Sequence, residues 1–77
     1  MEIKILGTGC PKCKSLEKIT HEVVQENNIE ASISKVEDIM EIMNFGVVST
    51  PGLVVDGEVK LSGRLPSRDE IKKFLTK

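Results

Sequence analysis

The stretch ILGTGCPKCKSLEKI, residues 5–19, holds Cys10 and Cys13, the two cysteines of this 77-residue chain. Thiols at that spacing can clamp a soft metal ion, staple a fold, or exchange electrons with another disulfide. Pro11 suits the first position of a helix, because its missing N–H would be unpaired there anyway. Cys10 is then the N-cap and Cys13 the third helical residue. A thiol at the N-cap faces unpaired backbone N–H groups and the positive end of the helix dipole, both of which favour thiolate. Lys12 and Lys14 add positive charge. Such surroundings lower a cysteine pKa from about 8.5 to roughly 3.5–7.5. Cys13 lies one turn on, within reach but more shielded. The expected chemistry is that Cys10 attacks a substrate disulfide and forms a mixed disulfide. Cys13 then attacks Cys10, which releases the reduced substrate and leaves a Cys10–Cys13 disulfide.

The remaining composition narrows the choice. Seventy-seven residues suit one domain, spanning 1–77, near the lower size limit for a self-sufficient core. Net charge is −1, from 11 basic and 12 acidic residues that are interspersed, so neither a nucleic-acid surface nor an acidic tail is indicated. Two Phe and no Tyr or Trp leave the core to aliphatic side chains. The opening MEIKILG is too short and charged for a signal peptide, and no apolar run approaches membrane-spanning length. A cytoplasmic location is expected, where reducing conditions disfavour a structural disulfide. A zinc site needs four ligands, and His21 cannot complete one.

The elements that must position the thiols follow from periodicity. Residues 2–6 alternate and end at Gly7, a strand. Gly7 and Gly9 are read as the glycines that let the chain turn sharply, with Gly9 leaving the nucleophile open. Cys13, Leu16, Ile19 or Thr20, Val23 and Val24 recur at helical steps, and Asn27-Asn28 ends that helix. Residues 29–36 alternate as a second strand. Asp38 caps a short helix stopped by Gly46, with Ile39, Ile42 and Met43 on one side, and Met40 and Met43 are read as core filler. VVSTPG is a loop. Leu53–Val55 and Glu58–Leu61 are strands joined by Asp56-Gly57, a type I′ signal that sets Val54 opposite Val59 and Val55 opposite Glu58. The unbroken Leu53–Val55 run predicts a strand covered on both faces, and the mixed Glu58–Leu61 partner an edge. Ser67 and Glu70 form a capping box before a helix with Ile71, Phe74 and Leu75 inward. The order is β-α-β-α-β-β-α. His21 falls on a polar helix side, and Arg64 and Arg68 read as solvated surface.

GTGCPKC after a first strand, STPG before a hairpin and a capped last helix resemble the thioredoxin/glutaredoxin superfamily. The resemblance covers essentially the whole chain and is nearest to the small glutaredoxin-like redox proteins of prokaryotes. It implies a thioredoxin-like three-layer α/β sandwich around a four-stranded mixed sheet. It also implies a protein disulfide oxidoreductase that works as a small electron carrier. Pro51 is then a cis proline beside the active-site disulfide, and the Thr50 backbone pairs with the substrate chain. Pro11 and Lys12 complete the substrate-facing site. The chain departs from both branches of the family. Gly9 stands where thioredoxins usually carry Trp, and the first strand offers only Glu2 as an acid, near its far end. Lys12 replaces the glutaredoxin Tyr, and LSGRLPSRDE matches the glutathione-binding turn poorly. A thioredoxin-reductase-like donor is therefore the expected partner, alongside disulfide-bearing proteins, with the chain a monomer.

No bound cofactor is required, since the dithiol is itself the redox group. The rival reading is a soft-metal or arsenite-binding module. Such domains usually place Met two residues before the first cysteine, where this chain has Thr8, and their element order differs after the second strand. A redox-inert interaction domain is the third reading.

Overall fold

A computed structural model describes residues 1–9 and 11–76. Its elements are β1 (Glu2–Leu6), α1 (Pro11–Glu26), β2 (Ser32–Val36), α2 (Ile39–Asn44), β3 (Gly52–Val55), β4 (Glu58–Ser62) and α3 (Arg68–Thr76), in the expected order. The sheet runs β2-β1-β3-β4. β1 is parallel to β2 and antiparallel to β3, and β4 closes the hairpin at the edge.

Strand alternation splits the core between two faces of this sheet. Ile3 and Ile5 of β1, with Leu53 and Val55 of β3, point to one face and meet Leu16 and Val23 of α1 and Ile71 and Leu75 of α3. Leu6, Val36 and Val54 point to the other face and meet Ile42 of α2 and Val47. Both faces of the central strands are covered, so every β3 residue is buried, as the Leu53–Val55 run predicted. The result is a three-layer α/β sandwich around a mixed sheet.

Local chemistry accounts for the boundaries. The buried stripe of α1 is Cys13, Leu16, Thr20 and Val23, with Ile19 partly buried against the same cluster beside Thr20. The Thr20 hydroxyl donates to the Leu16 carbonyl at 2.7 Å, which satisfies the buried oxygen within the helix. Asn28 adopts φ 51°, and the Ile29 amide donates back to the Val24 carbonyl. That bond ties residue 29 to the helix end, so β2 begins at Ser32, later than alternation suggested. Ile29 and Ala31 instead pack against the edge of the larger cluster.

Asp38 caps α2 by accepting from the Met40 amide at 2.8 Å, and Gly46 (φ 80°) follows its end. Asp56 (φ 51°) and Gly57 (φ 84°) have the paired positive φ angles of a type I′ turn. Val54 faces Val59 and Val55 faces Glu58, as expected. Beyond them the register shifts, Leu53 pairing with Leu61, so Lys60 is the extra residue of a bulge. The Ser67–Glu70 capping box forms reciprocally, with both bonds at 3.3 Å.

One expectation fails. Met40 and Met43 are not core filler: they are 69 % and 57 % exposed, and Ile39 is 62 % exposed. Helix α2 is six residues long and sits on the sheet through Ile42, so its remaining apolar residues have no inner surface to meet.

Candidate functional site

The sheet topology brings the two loops of interest to one end of the molecule. β1 and β3 are antiparallel, and Leu6 pairs with Gly52. The chain therefore leaves β1 at Gly7 where it enters β3 from Pro51. Thr8 and Thr50 line a common cavity with Ile39, Ile42, Met43, Val47 and Val48. The segment after β1 and the loop before β3 are thus neighbours, although their residues are far apart in sequence.

Thr50-Pro51 is a cis peptide, and Pro51 is fully buried while Thr50 is half-buried. The amide of Gly63 donates to the Pro51 carbonyl at 2.9 Å, which ties this loop to the end of β4. Pro11 opens α1 and is exposed, as is Lys12. Cys13, the third helical residue, is 5 % exposed and is disulfide-bonded rather than a free thiol. The more shielded position expected of Cys13 is what its burial gives. Cys10, and with it the expectation of an exposed N-cap thiolate, lies outside the described residues.

Gly9 takes φ 91°, a conformation that glycine adopts at no steric penalty, so it does turn the chain as expected. Gly7 does not have a positive φ, and its reason is different. A Cβ built on Gly7 would lie far inside van der Waals contact with the Cys13 sulfur and within 2.8 Å of the Cys13 Cβ. Sequence reading assigned Gly7 to turning the chain. Its closeness to Cys13 becomes visible only when α1 is laid across the end of β1.

Beside Cys13 lies a small cavity of about 80 Å³, lined also by Gly7, Gly9, Lys14, Glu17, Lys35 and Glu37. Glu17 and Lys35 form an ion pair there at 3.5 Å, joining α1 to β2. Among the described residues no group of three or more His, Cys, Asp or Glu converges as a metal site. None of the described helices is long and apolar enough to cross a membrane. His21 is exposed, as predicted.

The two arginines are less free than the sequence implied. Arg64 forms two hydrogen bonds with the Glu70 carboxylate, at 3.0 and 2.6 Å. Those bonds and the Ser67 amide hold the Glu70 carboxyl down to about 2, and the same pairing raises the Arg64 pKa. Arg68 bridges Glu22 and Glu26, which fastens α3 to α1.

Comparison with known proteins agrees with this arrangement. Residues 1–76 match the family described as thioredoxin domain. The chain is 46 % identical to a thioredoxin of Methanothermobacter thermautotrophicus over 76 residues, covering 99 % of each. It is 42 % identical over 73 residues to a thioredoxin of Methanocaldococcus jannaschii, covering 95 % of this chain and 84 % of that one. A probable thioredoxin of Archaeoglobus fulgidus is 27 % identical over 71 residues, covering 88 % and 77 %. With a buried cysteine on the first turn of α1, a cis proline where the chain enters β3, and relatives matched along most of their length, the chain belongs to the thioredoxin family and is a thiol-disulfide oxidoreductase.

Proposed function

We propose that the protein is a cytosolic electron carrier of one domain, residues 1–77, which reduces protein disulfides through Cys10 and Cys13. Cys10 is the nucleophile. Its thiolate attacks a substrate disulfide, and one substrate sulfur leaves with the electron pair. Cys13 loses its proton to solvent and attacks the Cys10 sulfur. The bond to the substrate breaks, the second substrate sulfur leaves reduced, and the cysteine pair carries the oxidation. Pro11 and Lys12 shape the approach to Cys10, and the backbone at Thr50-Pro51 receives the extended substrate chain. A thioredoxin-reductase-like donor restores the dithiol. The protein acts as a monomer.

The observation that supports the division of labour is the burial of Cys13 on the first turn of α1. The sulfur of a cysteine that is only 5 % exposed is poorly placed to meet a protein substrate but well placed to attack a neighbour.

Trapping tests the assignment. A Cys13→Ser variant is expected to accumulate a mixed disulfide with a protein substrate, and Cys10→Ser is not. Equal trapping by both variants would remove the roles. A soft-metal module would instead show tight, stoichiometric retention of Cu(I) or arsenite by the reduced protein, with little reduction of insulin disulfides.

A further inference from the structure

We infer that Gly7 is a positioning residue for the resolving step, its bare Cα giving the Cys13 sulfur the space it needs to reach Cys10; this rests on the redox reading above. The space in question is specific to residue 7. Its backbone φ is one that any residue can adopt, so the lack of a side chain answers a steric demand and not a conformational one. A Cβ at that position would overlap the Cys13 sulfur and crowd the Cys13 Cβ at 2.8 Å.

Neither partner can retreat. The Gly7 amide donates to the Val36 carbonyl at 3.0 Å, continuing the β1–β2 ladder by one residue. Leu6, immediately before it, is fully buried and paired on both sides, with Val36 and with Gly52. On the other side, Leu16 is fully buried one turn after Cys13 and locks α1 against the sheet. With both backbones pinned, an added methyl displaces the sulfur itself.

That displacement separates the two oxidation states. In the reduced protein the Cys13 thiol can turn about χ1 away from the methyl, which leaves only the contact at the Cys13 Cβ that both oxidation states share. A disulfide demands a narrow placement of both sulfurs and cannot turn away. Crowding at residue 7 therefore penalises the oxidised protein more than the reduced one. It also slows the attack of Cys13 on Cys10, while leaving the first attack by Cys10 alone.

The test is Gly7→Ala in the full chain. Its mixed disulfide with a protein substrate is expected to persist at least tenfold longer than that of the unaltered protein. Its reduction potential is expected to be more oxidising by about 30 mV for each tenfold change in the dithiol–disulfide equilibrium. The rate at which Cys10 attacks an aromatic disulfide should not change. Unchanged resolution and potential would overturn the assignment.

Since Gly7→Ala could simply impair folding, a stability cycle with Cys13→Ala gives an independent reading. Crowding predicts that Gly7→Ala lowers Tm less when the sulfur is gone, whereas an equal loss in both backgrounds would overturn it. If the unaltered protein reduces no protein disulfide, the redox reading falls, and the cycle still decides whether the sulfur and residue 7 compete for space.

Discussion

The two faces of the sheet are built to different standards. On one face, α1 and α3 lay Leu16, Val23, Ile71 and Leu75 over Ile3, Ile5, Leu53, Val55 and Leu61. On the other, α2 contributes Ile42 alone among its six residues, against Leu6, Val36, Val47 and Val54. The heavier face is also fastened at its surface, where Arg68 ties α3 to Glu22 and Glu26 of α1. A helix of six residues has no stability of its own in water, so α2 depends on its cap and its single anchor. Cys13 belongs to α1 and inherits the rigidity of the heavy face. The cavity beside Thr50 is walled by α2 and inherits the looseness of the light one. The function proposed above has a use for both: a fixed resolving sulfur and an adaptable wall for substrates.

The comparison is most easily broken in the core. Leu16→Ala empties a fully buried site held between two helices and the sheet. Its expected destabilisation is about 3–4 kcal/mol, within the range for buried Leu to Ala. Ile42→Ala, on the light face where neighbours can collapse into the gap, is expected near about 2 kcal/mol, the low end of the same range. Urea unfolding of the two variants measures the difference. A loss at Ile42 as large as that at Leu16 would mean the faces are equally demanding.

Much of the fold was legible in the sequence, but the asymmetry between its faces was not, for a physical reason. The α1 stripe, the Asp56-Gly57 turn and the Ser67–Glu70 box are written in neighbouring residues, and each forms as read. The cysteine spacing pointed to the chemistry, and Thr50-Pro51 pointed to the second loop. What could not be read is how far apolar residues outnumber the surface available to cover them. Ile39, Met40 and Met43 have the character of core residues, but α2 is too short and too peripheral to bury them. Gly7 is a similar case: a turn glycine and one that makes room for a sulfur look alike until two elements meet. The β4 bulge at Lys60 was hidden because the hairpin pairing near the turn is regular and slips only two residues on.

Capping sharpens the contrast at a smaller scale. Asp38→Ala removes the acceptor for the Met40 amide, and loss of such a cap is worth about 1 kcal/mol. Because α2 has so little else holding it, the effect should concentrate there. Hydrogen exchange is expected to quicken at the α2 amides and to remain unchanged in α1. Uniform quickening across both helices would show that α2 unfolds only with the whole molecule.

On the heavy face, Glu70 supplies a pH signature. Its carboxyl is held at about 2, below its ordinary 4.5, first by the hydrogen bonds from Arg64 and then by the Ser67 amide. A folded pKa below the unfolded one means that the charged form is favoured by folding, so the contribution is complete above pH 4.5 and fades as pH falls through about 2. The site is open to solvent, which keeps the effect small. Glu70→Gln should therefore lower Tm at pH 7, and the gap from the unaltered protein should close toward pH 2. A gap that stays constant over that range would show that the amide loses something other than charge.

The smallest effect expected is at Met40, and its smallness is informative. Met40 is 69 % exposed on the outer side of α2 and belongs to neither core cluster. Met40→Gln keeps the length and helix propensity of the side chain while removing its apolar character. If the outer side of α2 carries no packing, the change in stability lies within about 0.5 kcal/mol, as for surface substitutions away from special features. The same substitution type applied to the inward Ile71 would introduce an amide into a fully buried site and cost several times more. Paired urea titrations of the two variants set the exposed residues of the light face against the buried ones of the heavy face. A loss at Met40 approaching that at Ile71 would mean that α2 is seated more deeply than its single anchor implies, and the division between a fixed and an adaptable side would have to be withdrawn.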